Sequence, residues 1–528
     1  MYIIKILLFC FLFVVLNVSG VAEEGENNFQ LSINPSVTFQ KMHSFGASDA
    51  WRCQFIGKNW PARKKEQIAE WLFSREFDND GNPKGIGLSL WRFYLGAGSM
   101  EQGDSSGITN YWRRAECFQN PDGTYDWNKQ EGQQWFLSEA RKYGVEYTLA
   151  FTISPPVFYT LNGKAHGPNG VKKMNIQPGK MENYAGFLAD VVQHFEDEGN
   201  GFDFISPFNE PQWDWDKSNQ EGTPATNAEL FELTSLLAGE LAKRNLSTQI
   251  AFGECGEIDY LYKEIEGNEN RSNQVEVFFD ESSPYYVGTF PKLRNMISGH
   301  SYFTTWPLSR QIETRKKLAE KMEQFDPELE YWQSEFCILE KNDETQQGNI
   351  RDLGMNTALY VARVIHSDIT LANATSWQWW TAVTQCDYKD GLVFIDKDGT
   401  PGHPNSVDLQ FDGDIHDSKL MWALGNFSRF VRPGMKRIEV GLKPALSLQK
   451  QAEQLMVSAY TDGKQVVCVV VNPLGEEKVL HPSFESVTTE SVTAYITDES
   501  RNLEKESDGS DKWKIPPRAV VTVVIDIK

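Results

Sequence analysis

The chain has 528 residues, of which 40% are hydrophobic and 12% aromatic, with 16 Trp and 40 Gly; this excludes a disordered or collagen-like protein and points to one large globular unit with a smaller companion. Its 51 basic and 73 acidic residues leave a formal charge of −22. Such a surface repels phosphate backbones and anionic lipid, so nucleic acid is excluded as a partner and a neutral ligand is favoured.

The N-terminus carries Lys5, an apolar run through Val18 and then the small residues Ser19, Gly20 and Ala22 ahead of Glu23 and Glu24. This order reads as a signal peptide over residues 1–22, directing the protein to the periplasm or the exterior, and no further span is expected in the mature chain. The cysteines beyond it are widely spaced with no C-x-x-C, which removes zinc-ribbon and thioredoxin readings.

From about residue 41 to about 430, short apolar runs alternate with segments of helical period, the pattern of parallel βαβ units. Eight runs read as strands: His43–Ala50, Gly87–Leu95, Tyr147–Ser154, Phe202–Phe208, Gln249–Glu254, Met296–Phe303, Glu330–Cys337 and Thr375–Thr381. Between them, Tyr184, Phe187, Leu188, Val191, Val192 and Phe195 form one apolar stripe. Thr226 and Glu229 form a capping-box signal ahead of Leu230, Leu233, Leu237 and Leu241, and a third helix is expected over 349–367. Eight such repeats imply an α/β fold, a (β/α)8 TIM barrel with its site at the C-terminal strand ends. Residues 431–528 change to alternating strands, with a hairpin through Thr461-Asp462-Gly463-Lys464, and read as an antiparallel β-sandwich to which residues 30–40 add a strand.

Glu210 ends the fourth predicted strand in Ser206-Pro207-Phe208-Asn209-Glu210-Pro211, and Glu335 ends the seventh in Tyr331-Trp332-Gln333-Ser334-Glu335-Phe336-Cys337. Burial and a second nearby carboxylate both raise a carboxyl pKa, so one member of such a pair stays protonated while the other stays ionised. Glycosidic cleavage needs that division: an acid for the leaving oxygen and a carboxylate at the anomeric carbon.

The two motifs together resemble the retaining (β/α)8 glycosidases of clan A. Gly46-Ala47-Ser48-Asp49-Ala50, Ser154-Pro155-Pro156, His300-Ser301-Tyr302 and Trp377-Gln378-Trp379-Trp380 make the chain similar to glycoside hydrolase family 30, which fuses a β-sandwich to its barrel. Asn209-Glu210-Pro211-Gln212-Trp213-Asp214-Trp215 with Gln220-Glu221-Gly222-Thr223-Pro224 resembles the endo-β-1,6-galactanase branch. The resemblance implies that Glu210 is the acid/base, Glu335 the nucleophile and Asn209 a partner of the sugar 2-hydroxyl. It also implies that Asp49, Arg92, His300, Tyr302 and Trp380 line the −1 subsite. Val157 departs from the family's usual aromatic after Ser-Pro-Pro, which points to a differently shaped +1 side. Trp213 and Trp215 are candidates to stack on sugar rings, with loop packing the alternative, and Glu254 and Glu257 read as a solvated rim.

No P-loop, H-E-x-x-H or complete dinucleotide fingerprint is present, so neither a metal nor an organic cofactor is expected. The expected partner is a neutral oligo- or polysaccharide, with arabinogalactan side chains foremost and the oligomeric state left open. The other family 30 specificities, β-1,6-glucanase and xylanase, are alternatives, as is a non-catalytic glycan-binding protein on a barrel scaffold.

Overall fold

The computed structural model describes residues 27–346, 348–402, 406–506 and 512–528. The proposed signal peptide over 1–22 lies outside the described residues. Strand β1 (Asn28–Lys41) leads into β2 (Ser44–Ser48), the first of eight barrel strands. The others are β3 (Leu90–Leu95), β4 (Tyr147–Thr152), β5 (Phe204–Ser206), β6 (Gln249–Ile250), β7 (Met296–His300), β8 (Glu330–Glu335) and β9 (Ala374–Trp379). They form one parallel sheet in the order β6-β5-β4-β3-β2-β9-β8-β7. Its ends meet where Ser298 N–H donates to Phe252 O (2.8 Å) and His300 N–H to Cys255 O (2.8 Å), closing the barrel.

All eight expected strands are present, several of them shorter than their apolar runs. Pro207 has no N–H to extend the ladder beyond Ser206, so β5 stops there. β6 ends at Ile250 rather than Glu254 because Gly253 adopts φ +120°, where a Cβ would stand 2.6 Å from the Ser298 carbonyl oxygen, and Glu254 follows at φ 59°. That irregular turn aims the Glu254 side chain. The helices follow their stripes: Met181–Asp197 buries all six stripe residues, and Asn227–Lys243 starts on the expected capping box, Thr226 accepting from Glu229 N. The third helix runs over Met355–Leu371 rather than 349–367. Asp352 explains the later start, since its carboxylate takes the Gly354 and Thr357 N–H groups and holds the preceding residues in a turn.

After β9 a small sheet of β10 (Val383–Thr384), β11 (Val393–Lys397), β12 (Thr400–Pro401) and β13 (Asp414–His416) intervenes, unexpected from the sequence. The C-terminal strands are β14 (Lys436–Lys443), β15 (Met456–Thr461), β16 (Gln465–Asn472), β17 (Lys478–Phe484), β18 (Thr489–Thr497), β19 (Glu504–Glu506), β20 (Trp513–Ile515) and β21 (Ala519–Ile527). With β1 they make one sheet ordered β19-β18-β21-β16-β15-β14-β1-β17-β20, antiparallel except for the β1/β17 pair, which is parallel. The sheet curls until Trp513 and Ile515 of β20 share a core with Ile496 of β18 and Val521 and Val523 of β21. Alternation along β16 decides what each face does. Val466, Cys468 and Val470 point into that core, whereas Val467, Val469 and Val471 join the barrel's core, where Leu424 and Phe427 of helix Lys419–Ser428 also lie. The cysteines among the described residues are all free thiols, and no helix among those residues is long and apolar enough to cross a membrane.

Candidate active site

Residues on or just after five barrel strands converge on one buried charge network at the barrel mouth. Arg92, on β3, donates from Nη1 to Glu335 Oε2 (2.5 Å) and from Nη2 to Glu254 Oε2 (2.6 Å) and Asn209 Oδ1 (3.1 Å). Its guanidinium lies 3.9 Å from the centroid of the Phe151 ring, which fixes the fork in one plane. His300 at the end of β7 bridges two carboxylates, with Nδ1 2.9 Å from Glu210 Oε1 and Nε2 3.0 Å from Glu254 Oε2. The Tyr302 hydroxyl donates to Glu335 Oε1 (3.1 Å). One carboxylate oxygen each of Glu210 and Glu335 and one ring nitrogen of His300 lie within 4.8 Å of one another, so the two carboxylates face a common space.

Electrostatics divide the roles. Burial pushes the Glu210 carboxyl up and the Glu335 charge adds to this, outweighing the pull of His300 and Arg92. Burial would raise Glu254 as well, but Arg92 and His300 bring it down to about 2. Burial would strip the proton from His300, yet Glu335, Glu210 and Glu254 together hold it up to about 10. Both nitrogens of the imidazole face carboxylates, so a protonated His300 joins them in one ion-pair network. Burial keeps the Tyr302 phenol well above its usual value, and it remains a donor to Glu335.

The structure therefore brings Arg92, Asn209, Glu210, His300, Tyr302 and Glu335 together. Trp380 stands beside them, edge-on to Trp51 (5.1 Å) and to Phe151 (6.2 Å), the ring under Arg92. Trp213 lies against the turn at Gly256, whereas Trp215 folds back on its own loop, its Nε1–H donating to Glu210 O (3.0 Å) and its ring covering Gly222. Asp49 adjoins Arg92, its N–H donating to the Arg92 carbonyl (3.1 Å). It is buried, with Oδ1 accepting from Tyr94 N–H (2.9 Å), and burial holds its pKa well above the usual range.

Three acids differ from or add to the sequence reading. Glu254 is no solvated rim residue: it is 1% exposed and is the carboxylate shared by Arg92 and His300. The left-handed turn that inverts it left no periodic signal. Glu257 is half-buried, paired with Arg310 (2.7 Å), and burial with Asp259 raises it to about 7. Glu221, quoted above only within a motif, is fully buried and accepts from the Ser99 hydroxyl (2.5 Å), Ala97 N–H (2.9 Å) and Tyr94 hydroxyl. It ties the loop after Glu210 to the end of β3, and burial lifts it to about 7.

The model of O-Glycosyl hydrolase family 30 matches residues 28–394. The chain belongs to that family. A conserved exported protein from Bacteroides fragilis of known structure is 38% identical, with a TM-score of 0.89 over 94% of this chain and 100% of that one. The catalytic domain of xylanase C from Talaromyces cellulolyticus is 21% identical with a TM-score of 0.66 over 94% of this chain and 99% of that one, a likeness of fold. Among curated proteins, an endo-β-1,6-galactanase from Hypocrea rufa is 24% identical over 46% of this family 30 chain and 53% of its own length. The chain thus spans about half the length of that relative.

Proposed function

We propose that the protein is an exported retaining glycoside hydrolase, an endo-β-1,6-galactanase acting on arabinogalactan side chains. The observation that carries this is the pair of carboxylates, Glu210 and Glu335, with oxygens within 4.8 Å across a site organised by Arg92 and His300. Glu335, held by Arg92 and Tyr302, attacks the anomeric carbon while Glu210 protonates the leaving oxygen. The charge count explains why one carboxyl serves as acid and then base. With Glu210 protonated, Arg92 and His300 balance Glu254 and Glu335; once Glu335 is esterified and Glu210 has given up its proton, the same two cations balance Glu254 and Glu210. Neither step leaves net charge in the site, so deprotonated Glu210 is stable when water arrives.

The galactan assignment is supported by the Hypocrea rufa relative and by Gln212–Pro224, and export by the N-terminal pattern of residues 5–22 and the exported relative from Bacteroides fragilis. A second reading, β-1,6-glucanase or xylanase, is supported by the likeness in fold to an endo-β-1,6-glucanase and to xylanases. A glycan-binding protein would need neither a proton donor nor a nucleophile. Incubation with arabinogalactan, β-1,6-galactan, pustulan and xylan, with product identification and early proton NMR, tests the proposal. Release of β-configured galacto-oligosaccharides is expected. Attack on xylan or pustulan alone would remove the substrate, and α product would remove retention.

A further inference from the structure

Phe303 immediately follows Tyr302, the donor to Glu335, yet its ring is 42% exposed. Nothing in the proposed chemistry uses it. Its backbone sits in the left-handed region at φ 57°, uncommon for a bulky residue. Arg310 holds it there, donating from Nε to the Phe303 carbonyl (3.0 Å) while its own Nη2 is fixed by Glu257 (2.7 Å) and Asp259 (3.3 Å). The Phe303 ring meets the Trp213 indole at 89° with centroids 6.4 Å apart, and the two make a right-angled aromatic corner. The corner lies on the Glu210 side of the carboxylate pair. A Cβ added at Gly256 would come 2.4 Å from Trp213 Nε1 and 3.2 Å from Glu210 Cγ, so the indole and the acid's side chain share one patch of backbone.

We propose that Phe303, with Trp213 beside it, receives the leaving-group galactose at the +1 position and selects it over glucose; this rests on the galactanase reading above. The group beyond Glu210 is the sugar whose oxygen Glu210 protonates, and a sugar ring offers an aromatic face its C–H groups. In galactose the axial 4-hydroxyl leaves the hydrogens on C3, C4 and C5 on one side of the ring, a continuous apolar patch. In glucose the C4 hydrogen lies on the opposite side and the patch is broken. An aromatic corner with no acceptor of its own rewards the first arrangement. Arg310 and Glu257, adjoining it, supply a donor and an acceptor for the hydroxyls at the edge.

The experiment reads how one intermediate partitions. With β-1,6-galactobiosyl fluoride as donor, a Glu335 oxygen bonds to C1 as the C–F bond breaks and fluoride leaves, the Glu210 proton passing to the fluoride and so to solvent. An acceptor hydroxyl then bonds to C1, passing its proton to Glu210 as the Glu335–C1 bond breaks. The ratio of this transfer to hydrolysis is measured with methyl β-galactoside and with methyl β-glucoside as acceptors. Because both products come from the same intermediate, losses in folding or donor turnover cancel. The wild-type enzyme is expected to transfer to the galactoside in preference; Phe303→Leu should lower that transfer ratio about tenfold and abolish the preference, and Phe303→Tyr should restore both. An unchanged ratio in Phe303→Leu, or equal transfer to the two epimers by the wild type, overturns the inference alone. Failure of the wild type to turn over β-1,6-galactobiosyl fluoride overturns the galactanase reading and the inference with it.

Discussion

His300 and Ser301 are neighbours on one strand end, but they feed two buried charge networks of different character. Inward, His300 joins Arg92 and the carboxylates Glu210, Glu254 and Glu335: two cations against three acids. Outward, the Ser301 hydroxyl donates to Asp368 (3.1 Å), which also accepts from Arg315 Nε (2.8 Å) and Trp377 Nε1 (2.9 Å). That second network has one cation and one anion, both fully buried. Paired charges of equal number in a low dielectric hold elements together and have no proton to give. An odd carboxylate among buried charges must carry a proton, and Glu210 is the one whose pKa burial and Glu335 push up. The surplus acid, more than burial or charge as such, marks the site for chemistry.

Removing the proposed nucleophile breaks the comparison most sharply. Glu335→Gln keeps the side-chain volume and removes the attacking oxyanion, so kcat should fall by at least ~10⁴-fold, with sugar binding retained in calorimetry. Residual turnover within tenfold of wild type would take the nucleophile's role from Glu335. Glu210→Gln should cost about 10²–10⁴-fold on substrates with a sugar leaving group and far less on aryl glycosides, which need little protonation. It should also erase the fall of kcat/KM at high pH, since that limb is the loss of the raised Glu210 proton. Equal losses on both substrate types would mean that Glu210 is not the acid.

The outer network answers to stability instead. Asp368→Asn leaves the Arg315 guanidinium buried without its counter-charge, an unpaired-ion defect worth ~3–5 kcal/mol. Thermal melting should therefore move down by several degrees while kcat of the folded protein stays within about tenfold of wild type. A variant that melts normally but has lost turnover would mean that the two networks are one.

Much of this was legible in the sequence because strands and helices advertise their buried faces. The stripe from Tyr184 to Phe195, the Thr226 capping box and the turn at Asp462-Gly463 all carry periodic or turn signals, and the two Glu-containing strand ends follow from apolar runs that stop at an acid. What escaped lies where the backbone leaves those periods. Glu254 follows Gly253 at φ +120° and is itself left-handed, so strand alternation from Ile250 gives no information about its direction. Glu221 lies in a loop, and its partners Tyr94, Ala97 and Ser99 are more than a hundred residues away in the chain. The helix expected at 349 begins at 355 because a side-chain carboxylate, invisible to hydrophobic pattern, captures the backbone donors first.

The smallest expected effect is one of pH. His300 is raised to about 10 in the fold against ~6.5 when unfolded, so its contribution to stability is fully present below ~6.5 and is lost as pH rises toward 10. Glu254 works in the other direction: held at about 2 against ~4.3 unfolded, it contributes above ~4.3, and that contribution is lost as pH falls toward 2. Glu254→Gln removes one of the anions that bond the His300 ring, so the ring should give up its proton at lower pH. Melting temperatures taken between pH 6 and 10 should then fall earlier along the pH axis in Glu254→Gln than in wild type, by a few degrees at pH 8. Asp368→Asn, which touches Ser301 but not the imidazole, should lower the whole curve without moving its bend. If Glu254→Gln kept the wild-type bend, His300 would owe its charge to Glu335 and Glu210 alone.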